Sequence, residues 1–431
     1  MPGLPIAAIP HPMVGQSREY VAVVAAQVFD EIVHVLTTAP ELLESEYKNK
    51  TIRTGSRSTP RQKTLFGDAF SISEAGDRLK APDSIEAANR VFYHRGWTDG
   101  LPIIPPTEER VLRMIGGSGW EPKTLVGTMA PKHGEATLNK IAVNAVMAGC
   151  LPEYFPLVVA ATRAMIEQSF NLYALQTTTH PCTVLLLVNG PLADELDINC
   201  SYNAMGQGTL ANATIGRAVR LLLVNVGGAS PGVMDRATHG SPAKFSFCFA
   251  ENEAQNPWEP FHVERGFTKS VSTITVMGVE GPHNVNDHGG VTGEEILMTI
   301  AGVLATPGNN NVYLGGEPLV VLGPEHAAVI ARDGFSKAAV KEYLFKTARV
   351  PISDISKGNL ERFNKNHPER FAGLGARDKV PLVDTPQEIM VVVAGGMGRH
   401  SAVVPTFGGH TRAVTVPVTG SNGDPILPAE N

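Results

Sequence analysis

Cysteine is scarce in this sequence, which has four in 431 residues, Cys150, Cys182, Cys200 and Cys248. They are scattered, and no two form a CxxC pair. A disulfide framework and a closed zinc site are therefore not expected, and we predict no bound metal. Free, mostly buried thiols are typical of proteins in a reducing compartment.

Long apolar runs and long basic runs are missing too. The longest apolar helix candidate, residues 20–36, contains Asp30 and Glu31, and the N-terminus does not show the pattern of a signal peptide. The net charge is −6, without the basic stripe of a nucleic-acid-binding protein. We predict a cytoplasmic protein with neither a membrane nor a nucleic acid as partner.

The composition is that of a packed globular protein. Hydrophobic residues make up 43% and charged residues 18%, and 43 glycines and 32 prolines indicate many tight loops. Apolar strands and helical patterns alternate towards the C-terminus, with strands at 318–322 and 389–394 and helices from 327 and at 336–348. This alternation predicts an α/β fold with mixed or mostly parallel sheet layers covered by helices.

The chain divides into five predicted segments: a βα arm at 1–50, a polar linker at 51–83, an α/β body at 84–310, a C-terminal α/β subdomain at 311–418 and a tail at 419–431. The N-terminal βα arm (strand 4–9, helix 17–37) cannot bury its own sheet face, so it must dock elsewhere on the chain or on another subunit. A homo-oligomer is therefore expected. In the body, helices are predicted at 136–149, 156–168, 209–224 and 293–305, and strands at 183–189, 245–249 and 272–279.

A glycine-rich turn follows the apolar strand at 389–394. Gly395, Gly396 and Gly398 would let backbone N–H groups converge on an anion, a following helix start would add its dipole, and Arg399 and His400 come next. The alternative is a tight structural turn. Gly323-Pro-Glu-His326 also follows a strand and is a second candidate, because open α/β sheets bind ligands at the carboxyl ends of strands.

Two further clusters carry candidate catalytic groups. Asp287 and His288 lie in the segment His283-Asn-Val-Asn-Asp-His-Gly-Gly290. They could make a general base held by a carboxylate, or the two imidazoles of the segment could bind a metal. An ordinary solvated loop is the alternative. His180 near Cys182 could activate a thiol, although a buried cysteine at a strand start is favoured. Cys200, in a polar loop, is the other candidate nucleophile.

Polar residues also interrupt an apolar helix at Asn212 and Arg217. A buried amide or guanidinium must be hydrogen-bonded. Either a ligand site, a subunit interface or bonding between core helices would satisfy these groups.

The N-terminal Gly3-Leu-Pro-Ile-Ala-Ala-Ile-Pro-His-Pro-Met-Val-Gly-Gln16 resembles the closing strand and helix of the UGSC-like domain, which is similar to the selenoprotein B component of glycine and betaine reductases. In those families a selenocysteine or cysteine upstream of this segment cleaves a carbon–heteroatom bond. The resemblance covers only the arm and transfers no catalytic residue. The body, with Trp97-Thr-Asp-Gly-Leu-Pro-Ile-Ile-Pro-Pro-Thr107 and Gly334-Phe-Ser-Lys337, is similar to uncharacterised bacterial proteins associated with UGSC-like ones.

Together these patterns favour an enzyme that acts on a small anionic metabolite by lyase, hydrolase or reductive-cleavage chemistry. The turn at 395–398 with Arg399 would hold the anion, His288 or His180 would move protons, and Cys182 or Cys200 would be the nucleophile. The alternative is a non-catalytic partner or scaffold for a UGSC-like cysteine or selenocysteine enzyme. The sequence indicates no particular cofactor or substrate.

Overall fold

The computed structural model describes residues 18–39, 41–43, 83–116 and 119–426. The chain forms two compact units, Met1–Ser71 and Ile72–Asn431. In the described part of the first unit lies helix α1, Arg18–Thr37, where the sequence predicts a helix. The predicted strand at 4–9 and almost all of the predicted linker lie outside the described residues. In the part of the chain that is described, no helix is both long and apolar enough to cross a membrane.

Helices and strands alternate through the second unit. Its helices are α2 Ile85–His94, α3 Glu108–Gly116, α4 Leu138–Ala148, α5 Phe155–Ile166, α6 Leu172–Thr177, α7 Leu192–Glu195, α8 Leu210–Asn225, α9 Phe261–Glu264, α10 Gly293–Leu304, α11 Asn310–Leu314, α12 Pro324–Arg332, α13 Lys337–Thr347, α14 Lys357–Asn366 and α15 Pro368–Phe371. Its strands are β1 Leu125–Met129, β2 Gly134–Thr137, β3 Thr183–Asn189, β4 Cys248–Ala250, β5 Thr273–Val279, β6 His283–Asn286, β7 Leu319–Leu322, β8 Arg349–Pro351, β9 Lys379–Pro381, β10 Met390–Val393, β11 His400–Val404 and β12 Val414–Pro417.

Two four-stranded sheets organise this unit. Sheet A has the order β12-β5-β3-β4, with β3 and β4 parallel and the other pairs antiparallel. Sheet B has the order β10-β7-β11-β6, with β10 and β7 parallel and β11 antiparallel to both β7 and β6. The α/β class is therefore confirmed, with mixed sheets that contain more antiparallel than parallel pairs.

The sheets pack face to face between two layers of helices. Leu185 and Leu187 of sheet A share one apolar cluster with Val321 and Val392 of sheet B. The alternate residues of each strand point the other way: those of sheet A pack with α4, α5 and α8, and those of sheet B with α10, α12 and α13. Because both faces of each sheet are covered, the central strands are apolar throughout, and all seven residues of β3 are buried.

Several sequence patterns correspond to the observed elements. The strand predicted at 183–189 has those bounds, and the helix predicted from 327 begins three residues earlier, at Pro324. The strand predicted at 245–249 begins later, at Cys248. The short strands β6 and β11 were not predicted, because β6 has one apolar residue among histidine and asparagine, and β11 begins with His400 and Ser401.

The predicted division at residue 310 does not separate the two sheets. Strand β6, before that point, pairs in sheet B, and β12, near the end of the chain, pairs in sheet A. The beginning of the predicted tail also belongs to the fold: Ile426 N–H donates to the Val418 carbonyl at 3.0 Å, and Arg163 donates to the Thr419 hydroxyl at 2.7 Å. The chain thus crosses between the sheets more than once.

Helix α1 carries an exposed apolar stripe. Phe29, Ile32, Val33 and Leu36 follow i, i+3, i+4, i+7 spacing and are 64%, 41%, 41% and 78% exposed. We predict that the full-length chain self-associates through this stripe, as expected for an arm that cannot bury its own apolar face. Light scattering at micromolar concentration should give a mass above that of one chain. The double variant Phe29→Glu/Leu36→Glu should lower that mass, while the control Asp30→Asn should not. A monomeric wild type would contradict the prediction.

Candidate functional site

Three segments singled out in the sequence meet at the C-terminal end of β7. Strand β10 lies on one side of β7 and β11 on the other, so residues 394–399 must cross over that end. The crossing is close: a Cβ on Gly323, the residue after β7, would lie 2.2 Å from the His400 carbonyl oxygen. Strand β6 pairs with β11, with Asn286 opposite His400. The loop after β6 therefore joins the other two segments.

The turn itself needs its glycines for different reasons. Gly395 and Gly398 have φ of 112° and 143°, a region that only glycine adopts readily. A Cβ on Gly396 would lie 2.1 Å from the ring of Tyr202. No helix follows the turn, because the chain continues directly into β11, so the expectation of a helix dipole at this point is wrong. Anion binding here would depend on backbone N–H groups and side chains alone.

The turn also contacts the end of sheet A. Gly395 N–H donates to the Cys200 carbonyl at 2.8 Å, and Asn252 N–H, two residues after β4, donates to the Val393 carbonyl at 2.7 Å. The carboxyl ends of β4 and β10 therefore lie together. This is where open α/β sheets place ligands.

His288 and His400 form an imidazole pair beside this turn. Their Nε2 atoms are 3.1 Å apart, and the rings meet edge to face with centroids 4.9 Å apart. His400 Nδ1 lies 3.0 Å from Asn284 Oδ1, and a carbonyl oxygen can only accept. The network thus assigns the proton of His400 to Nδ1, which makes its Nε2 an acceptor for the Nε2–H of His288. All three residues are exposed.

Asp287 is not the partner of its neighbour His288. Its carboxylate accepts from the Gly290 N–H and the Thr299 hydroxyl, both at 2.7 Å. Burial raises the pKa of Asp287, but these two hydrogen bonds, together with smaller effects of His326 and the Gly289 backbone, hold the pKa below its ordinary value. The expected carboxylate–imidazole pair of adjacent residues is therefore wrong: the carboxylate fixes the loop against α10, and His400 orients His288.

Below this pair lies a buried network that sequence reasoning missed. His326 Nδ1 is 2.8 Å from Ser401 Oγ, and its Nε2 is 3.1 Å from the Asp287 carbonyl oxygen. Ser401 Oγ also accepts from Gly323 N–H at 3.1 Å. Burial lowers the pKa of His326, which favours the neutral imidazole, and the Asp287 carbonyl, which can only accept, places the proton on Nε2. The network joins β7, β11, α12 and the Asp287 loop, so it positions the exposed groups above it.

Arg399 lies between the turn and the imidazole pair. One of its terminal N–H groups donates to the His288 carbonyl at 2.9 Å, and its Nε is 3.9 Å from Glu325. Within residues 119–426 its other N–H groups make no hydrogen bond. The side chain is 26% exposed, so the guanidinium can still meet a ligand from solution.

The two candidate thiols differ. Cys182 is buried, donates weakly to the Leu175 carbonyl at 3.7 Å, and burial raises its pKa to about 12, as the favoured interpretation of a core cysteine requires. Cys200 is half-buried beside Gly395, and burial followed by the charge of Asp194 raises its pKa. Because the pKa is raised in both cases, neither environment favours the reactive thiolate form. Cys200 is the thiol that lies near the turn.

His180 lies elsewhere. Its Nε2 is 2.7 Å from Glu280 Oε1, and Glu280 N–H donates to the Pro405 carbonyl just after β11 ends. His400 is the first residue of β11, so the two histidines mark opposite ends of this strand. The structure therefore does not bring His180 to the glycine-rich turn, and its ring pairs with Glu280 rather than with Cys182.

Asn212 and Arg217 hold loops in place. Asn212 exchanges hydrogen bonds with the backbone of Asn199 at 2.8 and 2.9 Å. Arg217 makes a bidentate pair with Asp99 at 2.8 and 2.9 Å and donates to the Pro102 carbonyl at 2.7 Å. Bonding within the fold, which the sequence left open, accounts for both groups. Asn212 nevertheless supports the loop that carries Cys200 and Tyr202.

A search of protein-family models and of curated proteins finds no match to this chain. The resemblance of the N-terminal arm to the UGSC-like domain therefore stays a prediction, and the site must be interpreted from its own chemistry.

A buried carboxyl lies at the end of the parallel pair β3/β4. Glu251 accepts from Asn189 Nδ2 at 2.6 Å and from Phe261 N–H at 2.7 Å. Burial raises its pKa to about 6 from 4.5, despite the charge of Lys337 and these hydrogen bonds. The native state thus binds this proton more tightly than the unfolded chain does.

Glu251 should therefore make stability depend on pH. Its contribution is fully present below pH 4.5 and is lost as the pH rises through about 6. The wild type should lose roughly 2 kcal/mol of unfolding free energy across that range relative to Glu251→Gln. Urea unfolding at several pH values would measure this, with Glu109→Gln, an exposed residue of α3, as control. Parallel pH profiles for Glu251→Gln and the wild type would show that the carboxyl is not perturbed.

Proposed function

We propose that the chain is an enzyme acting on a small anionic metabolite, and that its reaction centre is the exposed pair of His288 and His400 beside the glycine-rich turn. The observation that carries the proposal is the pairing itself. Two imidazoles 112 positions apart in the sequence face each other at 3.1 Å, and Arg399 is bonded to the backbone of one of them. A solvated loop would not require such an arrangement.

The chemistry follows from the hydrogen bonds. One exchangeable proton lies between two nitrogen atoms, so the pair can give a proton to a ligand atom and take one back, as general acid–base catalysis needs. Asn284 fixes the tautomer of His400. The guanidinium of Arg399 offers the charge-assisted hydrogen bonds that hold a carboxylate or phosphate.

Proton transfer next to a held anion suits the lyase and hydrolase classes. Reductive cleavage would need a reactive thiol, and burial raises the pKa of Cys200, the thiol near the turn. The free cysteines and the absence of a membrane-crossing helix among the described residues are compatible with a cytoplasmic location.

The competing proposal is a partner or scaffold subunit for a UGSC-like enzyme, acting through the apolar stripe of α1. It predicts that the purified chain alone turns over no small acid or thioester and gains activity only when the partner is added. The enzyme proposal predicts turnover by the chain alone.

His288→Gln and His400→Gln should each lower turnover by about 10²–10⁴-fold, because each removes one side of the proton exchange. A screen of small carboxylic acids, phosphate esters and thioesters, followed by steady-state kinetics on any substrate found, is the measurement. The control His239→Gln, an exposed histidine in another loop, should keep wild-type rates. Full turnover in both variants of the pair would place the chemistry elsewhere.

Arg399→Ala should weaken binding of a small anion by about 1.5–3 kcal/mol, the cost of a lost charged hydrogen bond. The melting temperature should change little, since a partly exposed arginine contributes little to stability. Calorimetric titration with acetate, glycolate and inorganic phosphate would measure this, and Arg412→Ala, which removes another exposed arginine, is the control. Unchanged binding together with a much lower melting temperature would make Arg399 a structural group.

A further inference from the structure

We infer that His288 and His400 also form a binding site for a divalent transition-metal ion such as Zn²⁺, Ni²⁺ or Cu²⁺. Two imidazole nitrogens bound to one such ion at about 2.0–2.1 Å lie roughly 3 Å apart. The facing Nε2 atoms are already 3.1 Å apart. An ion bound by both nitrogens would keep this separation, and the shared proton would move through solvent to Nδ1 of His288, which leaves its Nε2 free to bind the metal.

The surroundings of His400 are those of a metal ligand. A ligating histidine usually donates its other ring N–H to an oxygen, which fixes the tautomer and makes the free nitrogen more basic. Asn284 Oδ1 takes this part at 3.0 Å from Nδ1. His400 is anchored in β11, which pairs with β6, and the backbone of His288 is held by Arg399. The ring of His400 and the backbone that carries His288 are thus held before any ion arrives.

The pair supplies two ligands, and in the described part of the chain no group of three or more His, Cys, Asp or Glu side chains is placed to hold a metal. The remaining positions on the ion would go to water or to an oxygen of an anion beside Arg399. Such an open, exchangeable site departs from the expectation of no bound metal, which rested on the cysteine spacing and therefore concerned closed structural sites. Imidazole donors suit zinc, copper and nickel.

The inference goes beyond the proposed function, because ions can be titrated without any substrate. Calorimetric titration of chelator-treated protein with zinc chloride and with nickel chloride should give one ion per chain. His288→Ala and His400→Ala should each weaken binding at least about tenfold, since one of two protein ligands is lost. His239→Ala should bind like the wild type. Circular dichroism of each variant checks that the fold is retained.

Asn284 gives a test that a merely adsorbed ion would not pass. Asn284→Ala should lower the affinity for the ion by about 10–100-fold, the usual effect of losing the group that orients a ligating histidine. Asn284→Asp should keep or raise the affinity, because a carboxylate accepts the same hydrogen bond. Binding that survives both histidine variants, or no binding by the wild type, would overturn the inference.

Cobalt substitution identifies the ligands directly. Co²⁺ should give visible bands of nitrogen and oxygen coordination without a thiolate charge-transfer band, and a thiolate band would place the ion at Cys200 and refute the site. If no ion binds while His288→Gln still loses turnover, the metal inference fails and the proposed function stands. If ions bind and His288→Gln keeps full turnover, the proposed function fails and the metal inference stands.

Discussion

The crossing of the glycine-rich turn over the end of β7 is the constraint on which the site depends. Strands β10 and β11 flank β7, so the chain between them must pass over Gly323, and a Cβ there would lie 2.2 Å from the His400 carbonyl. The crossing brings Arg399 and His400 to the loop after β6. The strand order and the close approach at Gly323 therefore bring the candidate groups together.

Beneath the crossing, the buried His326–Ser401 network keeps that position. The neutral imidazole bonds the hydroxyl on β11 and the backbone carbonyl of Asp287, and the hydroxyl bonds the N–H of Gly323. Breaking one of these bonds would leave a polar group buried and unsatisfied. The exposed pair of His288 and His400 thus stands on rigid support, which proton transfer and metal binding both need.

The sequence predicted the parts of this site better than their relations. The apolar strands and the glycine-rich turn follow from local patterns, and they correspond to the structure. The partner of His288 did not follow from the sequence. Asp287 is its neighbour in the sequence, whereas His400 comes from β11, whose polar first residues obscure the apolar alternation of a strand. The roles of Asn212 and Arg217 also depended on tertiary partners, Asn199 and Asp99, that no local pattern indicates.

The central claim is that ligands meet the protein at the turn and not at the His180–Glu280 pair at the other end of β11. Histidine side-chain NMR during titration with glycolate and inorganic phosphate tests this directly, with the 13 histidines assigned by single substitution. The account predicts that the resonances of His288 and His400 shift together while that of His180 stays unchanged. A shift of His180 with His288 and His400 unmoved would contradict it.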